Sequence, residues 1–218
     1  MKNKKGLLLI FTGLLLIAAA LFLTVYNRYE EHRAAEFAVQ VIDRLDAFLP
    51  AEKDEIIGEE SCSAAPTEDV SEIEIPDYIL NPNMEMPVQT IDGRAYIGIL
   101  KIPALELELP IISEWSYPNL KVSPCRYAGS VYTNDLVIAA HNYEPHFGNV
   151  KNLSEGDTIT FTDMDGNVFT YVVAAKETLP PAAGKEMTSG DWPLTLFTCT
   201  LSGSARVTIR CDLADEAG

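Results

Sequence analysis

The sequence predicts an all-β domain with short helices, in which the strands form a closed β-barrel preceded by a transmembrane helix and a juxtamembrane helix. Three observations predict this. Short apolar or alternating runs separated by turn residues fill the last 125 residues or so. An uncharged run of 21 residues lies near the N-terminus, and an acidic stretch with prolines separates the two. The predicted strands are 95–102, 105–111, 136–140, 158–162, 168–174, 194–200 and 205–211.

The uncharged run, residues 6–26, is long enough for a helix to cross a bilayer core of about 30 Å. Lysines precede it, whereas the arginines that follow it lie among acidic residues, so the positive-inside rule places the N-terminus in the cytoplasm. We therefore predict that residues 1–26 form a cytoplasmic tail and a signal anchor, with the rest of the chain outside the cell. A signal peptide cleaved near residues 18–20 is the alternative, but the apolar run continues beyond that point.

Two further segments separate this span from the barrel. Residues 27–50 are rich in Glu, Arg and Ala and carry apolar residues close to helical spacing, which predicts a juxtamembrane helix. Residues 51–90 hold eleven acidic residues against one lysine, together with four prolines, which is typical of a linker. This linker accounts for ten of the sixteen net negative charges. Because no basic stripe remains to neutralise phosphates, a nucleic-acid partner is disfavoured.

Residues 91–214 form the predicted barrel domain. Apolar and acidic side chains alternate over 105–109, as expected of a half-buried strand, and short helical pieces are expected at 117–122 and 146–153. The segment 163–167 superficially resembles a calcium-binding loop. It lacks the closing glutamate of such a loop, and its Asp-Gly pair predicts a tight turn between two strands instead.

The terminal hairpin carries the most informative feature of the chain, a strand that ends on a cysteine. A turn centred on Ser202 and Gly203 places Cys199 directly opposite Arg206, with Cβ atoms about 5 Å apart on the same face. A guanidinium favours the thiolate form of a nearby cysteine and can stabilise a carbonyl oxygen that gains negative charge. Arg210 has the same parity but lies about 13 Å further along the strand, so we expect it to pair with an acidic neighbour on the surface. The alternative interpretation is a buried hydrophobic cysteine beside a solvated arginine.

Of the three histidines, only His141 is well placed to act as the acid–base partner of the cysteine. It follows the apolar run 136–140 directly and begins a polar loop, and a strand end holds a side chain firmly at the rim of a sheet. His32 lies in the charged segment after the span, where a solvated role is expected. His146 is interpreted as a loop residue.

Together these residues resemble those of the sortases. The stretch 195–199, Thr-Leu-Phe-Thr-Cys, matches the family's TLxTC motif, and 137–142, Val-Ile-Ala-Ala-His-Asn, resembles the segment that contains the catalytic histidine. Residues 96–103 resemble the first strand of the sortase barrel, and residues 108–111 resemble the element that follows it. The resemblance runs from about residue 95 to 213 in the family's order.

The resemblance implies a cysteine transpeptidase of the Gram-positive cell envelope, with the class (B-, C- or D-like) left open. Cys199 would attack the backbone carbonyl of an LPxTG-like sorting signal and form a thioester acyl-enzyme. His141 would protonate the departing amine and deprotonate the incoming one, while Arg206 would stabilise the oxyanion. Thr198 and Asn142 are assigned to substrate binding. The accepting amine would come from a lipid-linked peptidoglycan precursor or from a pilin lysine.

Three further features concern the linker, metal binding and the cysteines. The linker is expected to be an extended spacer or, as in pilin-type sortases, a lid over the active site, with residues 76–78 nearest to such an element.

Some sortases bind calcium, but no ligands can be assigned here, so we expect no cofactor. A Cys125–Cys211 disulfide is the one pairing within the barrel that leaves Cys199 free. Cys62 lies in the linker.

Two other classes of function also fit a cysteine and a histidine outside the membrane. An L,D-transpeptidase or a papain-like peptidase would use both residues without the arginine. A membrane-tethered barrel with an inert cysteine would be a binding module. Modification of Cys199 by a methanethiosulfonate probe that depends on His141 would distinguish an enzyme from such a module.

Overall fold

The computed structural model describes residues 2–49 and 75–214. Within these residues the chain forms one long helix, three helices of about one turn, two 3₁₀ turns and nine strands. The helices are α1 (Lys2–Asp46), α2 (Asp77–Leu80), α3 (Tyr117–Leu120) and α4 (Gly184–Met187), and the 3₁₀ turns are Pro103–Leu105 and Val150–Asn152. The strands are β1 (Gln89–Ile91), β2 (Arg94–Ile102), β3 (Leu107–Ile112), β4 (Cys125–Ala128), β5 (Leu136–Ala140), β6 (Thr158–Asp163), β7 (Val168–Leu179), β8 (Leu194–Cys199) and β9 (Arg206–Leu213).

In the described part of the chain, eight strands close into a barrel. Their order is β2-β3-β4-β5-β8-β9-β7-β6, and the pairing of β6 with β2 closes the ring. The β3–β4 and β5–β8 pairs are parallel, and the other pairs are antiparallel. Strand β1 extends the sheet beside the start of β2. The predicted all-β class with a closed barrel and short helices is confirmed.

The core has two parts because neighbouring side chains on a strand point to opposite faces. Ile138, Leu196 and Ile209 belong to the cluster that fills the barrel. Val137 directly precedes Ile138, and Phe197 directly follows Leu196, so their side chains point to the other face. Both belong to a second cluster on the outer wall. We call these the inner and outer clusters.

Helix α1 covers the outer cluster. Ala34, Ala38, Val41 and Leu45 are buried, and their spacing of four, three and four residues forms one face of a helix. The large apolar side chains between residues 7 and 25 are instead exposed. Among the described helices, α1 alone is long and apolar enough to cross a membrane. The predicted span and juxtamembrane segment are thus consecutive parts of one helix.

Residues 75–88, predicted to be part of the linker, lie against the barrel. Met86 is buried, and Tyr78 stacks on Tyr132 with 4.8 Å between ring centroids and also packs on Phe169. Tyr132 lies just before the start of β5, and Phe169 is the second residue of β7. His141 follows the other end of β5, so the contact of Tyr78 is at the barrel end opposite His141. A lid formed by residues 76–78 is therefore wrong, because the partly buried Tyr78 side chain packs at the barrel end opposite His141. The linker residues 51–74 lie outside the described residues.

The acidic segment 163–167 is a hairpin turn between β6 and β7, as predicted. The Asp163 carboxylate accepts hydrogen bonds from the backbone N–H groups of Asp165 and Asn167 at 2.9 Å each. It also accepts one from the Tyr132 hydroxyl at 2.7 Å. Protein donors thus occupy the carboxylate, which explains the turn without a metal.

The Cys125–Cys211 disulfide that the sequence left open is not formed. Both thiols are free and buried. Cys125 belongs to the outer cluster and Cys211 to the inner one, so the barrel wall lies between them. Burial raises the pKa of each thiol to about 12, which keeps both protonated and unreactive. Cys62 lies outside the described residues.

Candidate active site

The three predicted catalytic residues lie at one end of the barrel. Cys199 is the last residue of β8, Arg206 is the first residue of β9, and His141 directly follows β5. Cys199 pairs with Arg206 in the β8–β9 register, as predicted. Ala140 pairs with Thr198 in the parallel β5–β8 register, so the next residues, His141 and Cys199, leave adjacent strands side by side. Neighbouring strands are about 4.8 Å apart.

Strand parity places all three residues on the outer face of the barrel. Val137 and Ala139 belong to the outer cluster, and His141 continues their alternation. Phe197 is in the same cluster, two residues before Cys199. The sequence therefore brings a thiol, an imidazole and a guanidinium to one face at three strand ends.

A groove of about 390 Å³ opens beside Cys199. The thiol residue is half-buried rather than enclosed, so a substrate can reach it. Both residues assigned to substrate binding, Thr198 and Asn142, line this groove. Its other lining residues are Phe147, Gly148, Lys151, Thr200, Leu201, Ser202 and Val207.

Thr198 ties the two catalytic strands together. Its buried hydroxyl donates a hydrogen bond of 2.9 Å to the carbonyl oxygen of Ala140. The donor and acceptor directly precede Cys199 and His141. This bond fixes the separation of the two strand ends, which gives Thr198 a positioning role in addition to its place in the groove wall.

The hairpin turn differs in detail from the prediction. The N–H of Gly203 donates to the carbonyl oxygen of Thr200 at 2.8 Å, so the turn is centred on residues 201–202 rather than on 202–203. Gly203 then takes a positive φ of 70°, which glycine adopts without strain. The predicted register survives because both arrangements leave four residues between Thr200 and Ala205. Arg206 donates through Nη1 to the carbonyl oxygens of Gly203 and Ala205 at 3.3 and 3.1 Å.

His141 lies under an aromatic ring. Tyr143 stacks on it with 4.8 Å between ring centroids. Burial lowers the pKa of His141, and the charge of Lys121 lowers it further. Nε2 is buried and has no hydrogen-bond partner among the described residues. The structure therefore favours the neutral imidazole, the form that can accept a proton.

The loop that follows His141 is closed by its own backbone. Phe147 N–H donates to the His141 carbonyl oxygen at 3.2 Å, and Gly148 N–H donates to that of Tyr143 at 2.8 Å. A Cβ atom at Gly148 would lie 2.7 Å from the Tyr143 carbonyl oxygen, so only glycine fits there. The sequence analysis did not identify Tyr143 or Gly148, since a loop has no periodicity that reveals its contacts.

His146, interpreted from the sequence as a loop residue, is 0% exposed. Its ring lies 5.6 Å from that of Tyr143. Burial lowers its pKa to about 4, with a smaller contribution from His141. His146 therefore stays neutral, and its ring packs near Tyr143 within residues 142–148, which we call the active-site loop.

We expect His146 to make the fold sensitive to acid. Its folded pKa lies below the ordinary 6.5, so the stability from burying the neutral ring is present above pH 6.5 and is lost as the pH falls towards 4. The loss is up to about 3 kcal/mol, at 1.36 kcal/mol per pH unit. Chemical denaturation of the full chain in mild detergent at pH 7.5 and 4.5 measures it. His146→Leu should remove the part of the loss that comes from His146 and keep a smaller part from His141, whose pKa burial also lowers. The exposed control His32→Leu should keep the full loss, and equal losses in both variants would contradict the prediction.

Arg210 has a structural role, and its predicted acidic neighbour is Glu177, 3.3 Å away. It is only 3% exposed, which the prediction of a surface pair did not anticipate. Its guanidinium also donates to the carbonyl oxygens of Glu186 and Met187 and to the Thr195 hydroxyl, at 2.6, 3.0 and 3.0 Å. Arg210 thus anchors the segment containing α4 against the barrel wall.

Replacement of Arg210 should destabilise the fold more than the same replacement at Arg206. Arg210→Ala leaves the buried carbonyl oxygen of Met187 and the buried hydroxyl of Thr195 without their donor, which costs roughly 3 kcal/mol. Arg206→Ala removes only bonds at a partly exposed turn, so its unfolding free energy should change by less than about 1 kcal/mol. Denaturant midpoints of the two variants test this, and similar midpoints would refute the anchoring role.

No group of three or more His, Cys, Asp or Glu among residues 2–49 and 75–214 is arranged to hold a metal ion. The protein groups of the site are a half-buried thiol, a neutral imidazole one strand away and a guanidinium across the hairpin. Such a set can carry out nucleophilic acyl transfer, with the imidazole as base and acid and the guanidinium as oxyanion donor.

Comparisons with known proteins identify relatives of this chain. The sortase domain model matches residues 100–214. Sortase A of Bacillus anthracis is 26% identical over 140 residues, which cover 60% of this chain and 62% of that protein. This chain thus aligns with less than two thirds of that relative.

Solved structures share the fold. Sortase A from Corynebacterium diphtheriae has a TM-score of 0.51 and 25% identity, covering 56% of this chain and 62% of that one. Sortase C from Streptococcus pneumoniae has a TM-score of 0.51 and 24% identity, covering 58% and 71%. A sortase D5 transpeptidase from Clostridium perfringens has a TM-score of 0.50 and 19% identity, covering 58% and 83%. Because the neighbours belong to different classes, the class of this chain stays open.

Proposed function

Because the chain belongs to the sortase family, whose domain model matches more than half of it, we propose that it is a cysteine transpeptidase that cleaves a sorting signal and transfers the protein to an amine. Sortases anchor surface proteins or pilins. The observation that carries the proposal is the register that sets Cys199 opposite Arg206 and beside His141 at an open groove. Because the chain belongs to the sortase family, the hypotheses of an L,D-transpeptidase or a papain-like peptidase are set aside.

The first half of the reaction forms a thioester. The Cys199 thiol gives its proton to His141 and attacks the carbonyl carbon of an LPxTG-like peptide. The resulting oxyanion is stabilised by hydrogen bonds from the Arg206 guanidinium. These bonds replace those that Arg206 donates to the carbonyl oxygens of Gly203 and Ala205 in the free enzyme. The peptide C–N bond then breaks, and the departing amine takes the proton from His141. The acyl group remains on sulfur.

The second half transfers the acyl group. An incoming amine attacks the thioester carbonyl and gives a proton to His141. The C–S bond breaks, a new amide forms, and the proton returns to Cys199. The chemistry requires an amine on a peptidoglycan precursor or a pilin lysine, and it consumes no cofactor.

The proposed location follows from α1. Its apolar part would cross the cell membrane once, with the N-terminus in the cytoplasm and the barrel outside. The barrel would then meet secreted proteins as their sorting signals reach the outer surface.

A peptide screen tests the proposal. The full chain in detergent is mixed with fluorogenic LPxTG-like and NPxTN-like peptides, with and without an amine acceptor such as triglycine. We expect one peptide group to be cleaved, a thioester to appear on Cys199 by mass spectrometry, and the amide product to require the acceptor. If no peptide forms a thioester and Cys199 does not react with a methanethiosulfonate probe, the alternative of a non-catalytic binding module replaces the proposal.

A further inference from the structure

The active-site loop contacts the part of α1 that directly follows the apolar run. Nη1 of Arg28 lies 3.4 Å from Oε2 of Glu144, and His32 and Ala35 line a small cavity together with this loop. Arg28 is two residues beyond Tyr26, which is about 3 Å along a helix axis. An exposed ion pair contributes little to stability. The contact nevertheless shows that the loop containing Glu144 lies beside this point of α1.

The same loop joins α1 to the proposed acid–base residue. Tyr143 stacks on His141, and its pKa is raised by burial and further by the charges of Glu30 and Glu31. These carboxylates belong to the helical turn after Arg28, so their charges act on Tyr143, and Tyr143 in turn stacks on His141.

Helix α1 is held along its length as well as at this end. Ala38 and Leu45 are buried against the barrel wall, and Nη1 of Arg44 lies 2.8 Å from Oδ2 of Asp92. The helix is continuous from Lys2 to Asp46. A span in the bilayer would therefore set the position of the barrel through a rigid connection, with the His141 loop as the part of the barrel next to the end of the span.

We propose that the active-site end of the barrel is a membrane-contacting surface, where α1 holds the loop 142–148 and the groove beside Cys199 at the level of the lipid headgroups. The partner is the lipid bilayer surface. The proposal assumes that the apolar run is retained as a span, and its consequence for substrates rests on the proposed function. The site would act on peptide bonds within about 10 Å of the bilayer, a distance of roughly seven helical residues.

A depth measurement tests the contact without requiring activity. The full chain carrying Cys199→Ala and Cys62→Ser is placed in phosphatidylglycerol nanodiscs that contain a lipid spin-labelled at its headgroup. A fluorophore is attached through Ser202→Cys, at the hairpin tip beside the groove, or through Val168→Cys, an exposed position at the opposite barrel end. We expect strong quenching at position 202 and weak quenching at position 168. Equal quenching at the two positions, or none at 202, overturns the proposal.

A lengthened helix tests the role of α1. Seven helix-forming residues inserted after Tyr26 add about 10 Å and nearly two full turns, which preserves the packed face. We expect this insertion to reduce the quenching at position 202. Unchanged quenching would mean that α1 does not set the height of the barrel, and would overturn the proposal.

Turnover separates this proposal from the proposed function. With Cys199 intact, the lengthened chain should cleave a soluble peptide as fast as the original chain but lose most of its cleavage of the same peptide anchored in the nanodisc by a short lipid tether. Equal retention of both activities contradicts the consequence for substrates. If neither chain cleaves the soluble peptide, the proposed function fails, while the quenching results still decide whether the barrel contacts the membrane.

Discussion

Cys199→Ala is expected to abolish thioester formation and peptide cleavage. Among the described cysteines, Cys125 and Cys211 are buried and their pKa values are raised to about 12, so neither supplies a thiolate near neutral pH. Cys199 alone of the three borders an open groove. Intact-mass spectrometry after incubation with a substrate peptide measures the acyl adduct. The fluorescence of a fluorogenic peptide measures turnover.

The matched control for this prediction is Cys62→Ser, which removes the fourth thiol of the chain. This variant should keep its turnover and take up one methanethiosulfonate group, whereas Cys199→Ala in the same background should take up none. His141→Ala should slow the uptake, because the imidazole no longer accepts the thiol proton. An acyl adduct on the Cys199→Ala variant would show that another residue is the nucleophile.

The sequence was sufficient to predict the relation between Cys199 and Arg206. Hairpin register depends on the number of residues between two strands, and here that number is the same for the predicted and observed turns. The predicted turn centre is wrong: the sequence predicts Ser202 and Gly203 as the central pair, whereas in the structure Gly203 follows the central pair and has a positive φ. The error was harmless, since it did not change which residues oppose each other.

The proximity of His141 to Cys199 was harder to predict. It depends on a parallel pairing of β5 and β8, which are separated by more than fifty residues of chain. A strand-end histidine can be recognised from its local pattern, but its neighbour across the sheet depends on the order of strands in the closed barrel. The family resemblance supplied that order, and the pattern of apolar residues did not.

The positions that sequence analysis missed are determined by tertiary contacts. His146 is polar and follows a proline, which is typical of an exposed loop, yet the loop closes on itself and buries the ring. Tyr78 and Met86 lie in a segment whose charge and prolines indicate a linker, but their side chains find apolar surface on the barrel. Composition averages over such residues, so individual anchoring side chains are not detected.

Arg206→Lys is expected to lower kcat by about 100- to 1000-fold, the range observed when an oxyanion donor is removed. The substitution keeps the positive charge and therefore part of any effect on the Cys199 thiolate. It removes the planar fork, so two N–H groups can no longer reach the oxyanion and a neighbouring backbone carbonyl together. Single-turnover acylation with a fluorogenic peptide measures the loss directly.

Comparison with Arg206→Ala separates charge from geometry. If the main role of Arg206 is to supply the fork, the Lys and Ala variants should both acylate poorly and differ by less than about tenfold. If its main role is to favour the thiolate, the Lys variant should react with a methanethiosulfonate probe and acylate at nearly the original rate, and the oxyanion role would be refuted. Both variants should retain the stability of the original chain, because within residues 2–49 and 75–214 the hydrogen bonds of the Arg206 guanidinium go to carbonyls of the exposed hairpin turn. A large fall in stability would instead make the loss of activity a folding effect and contradict the assignment.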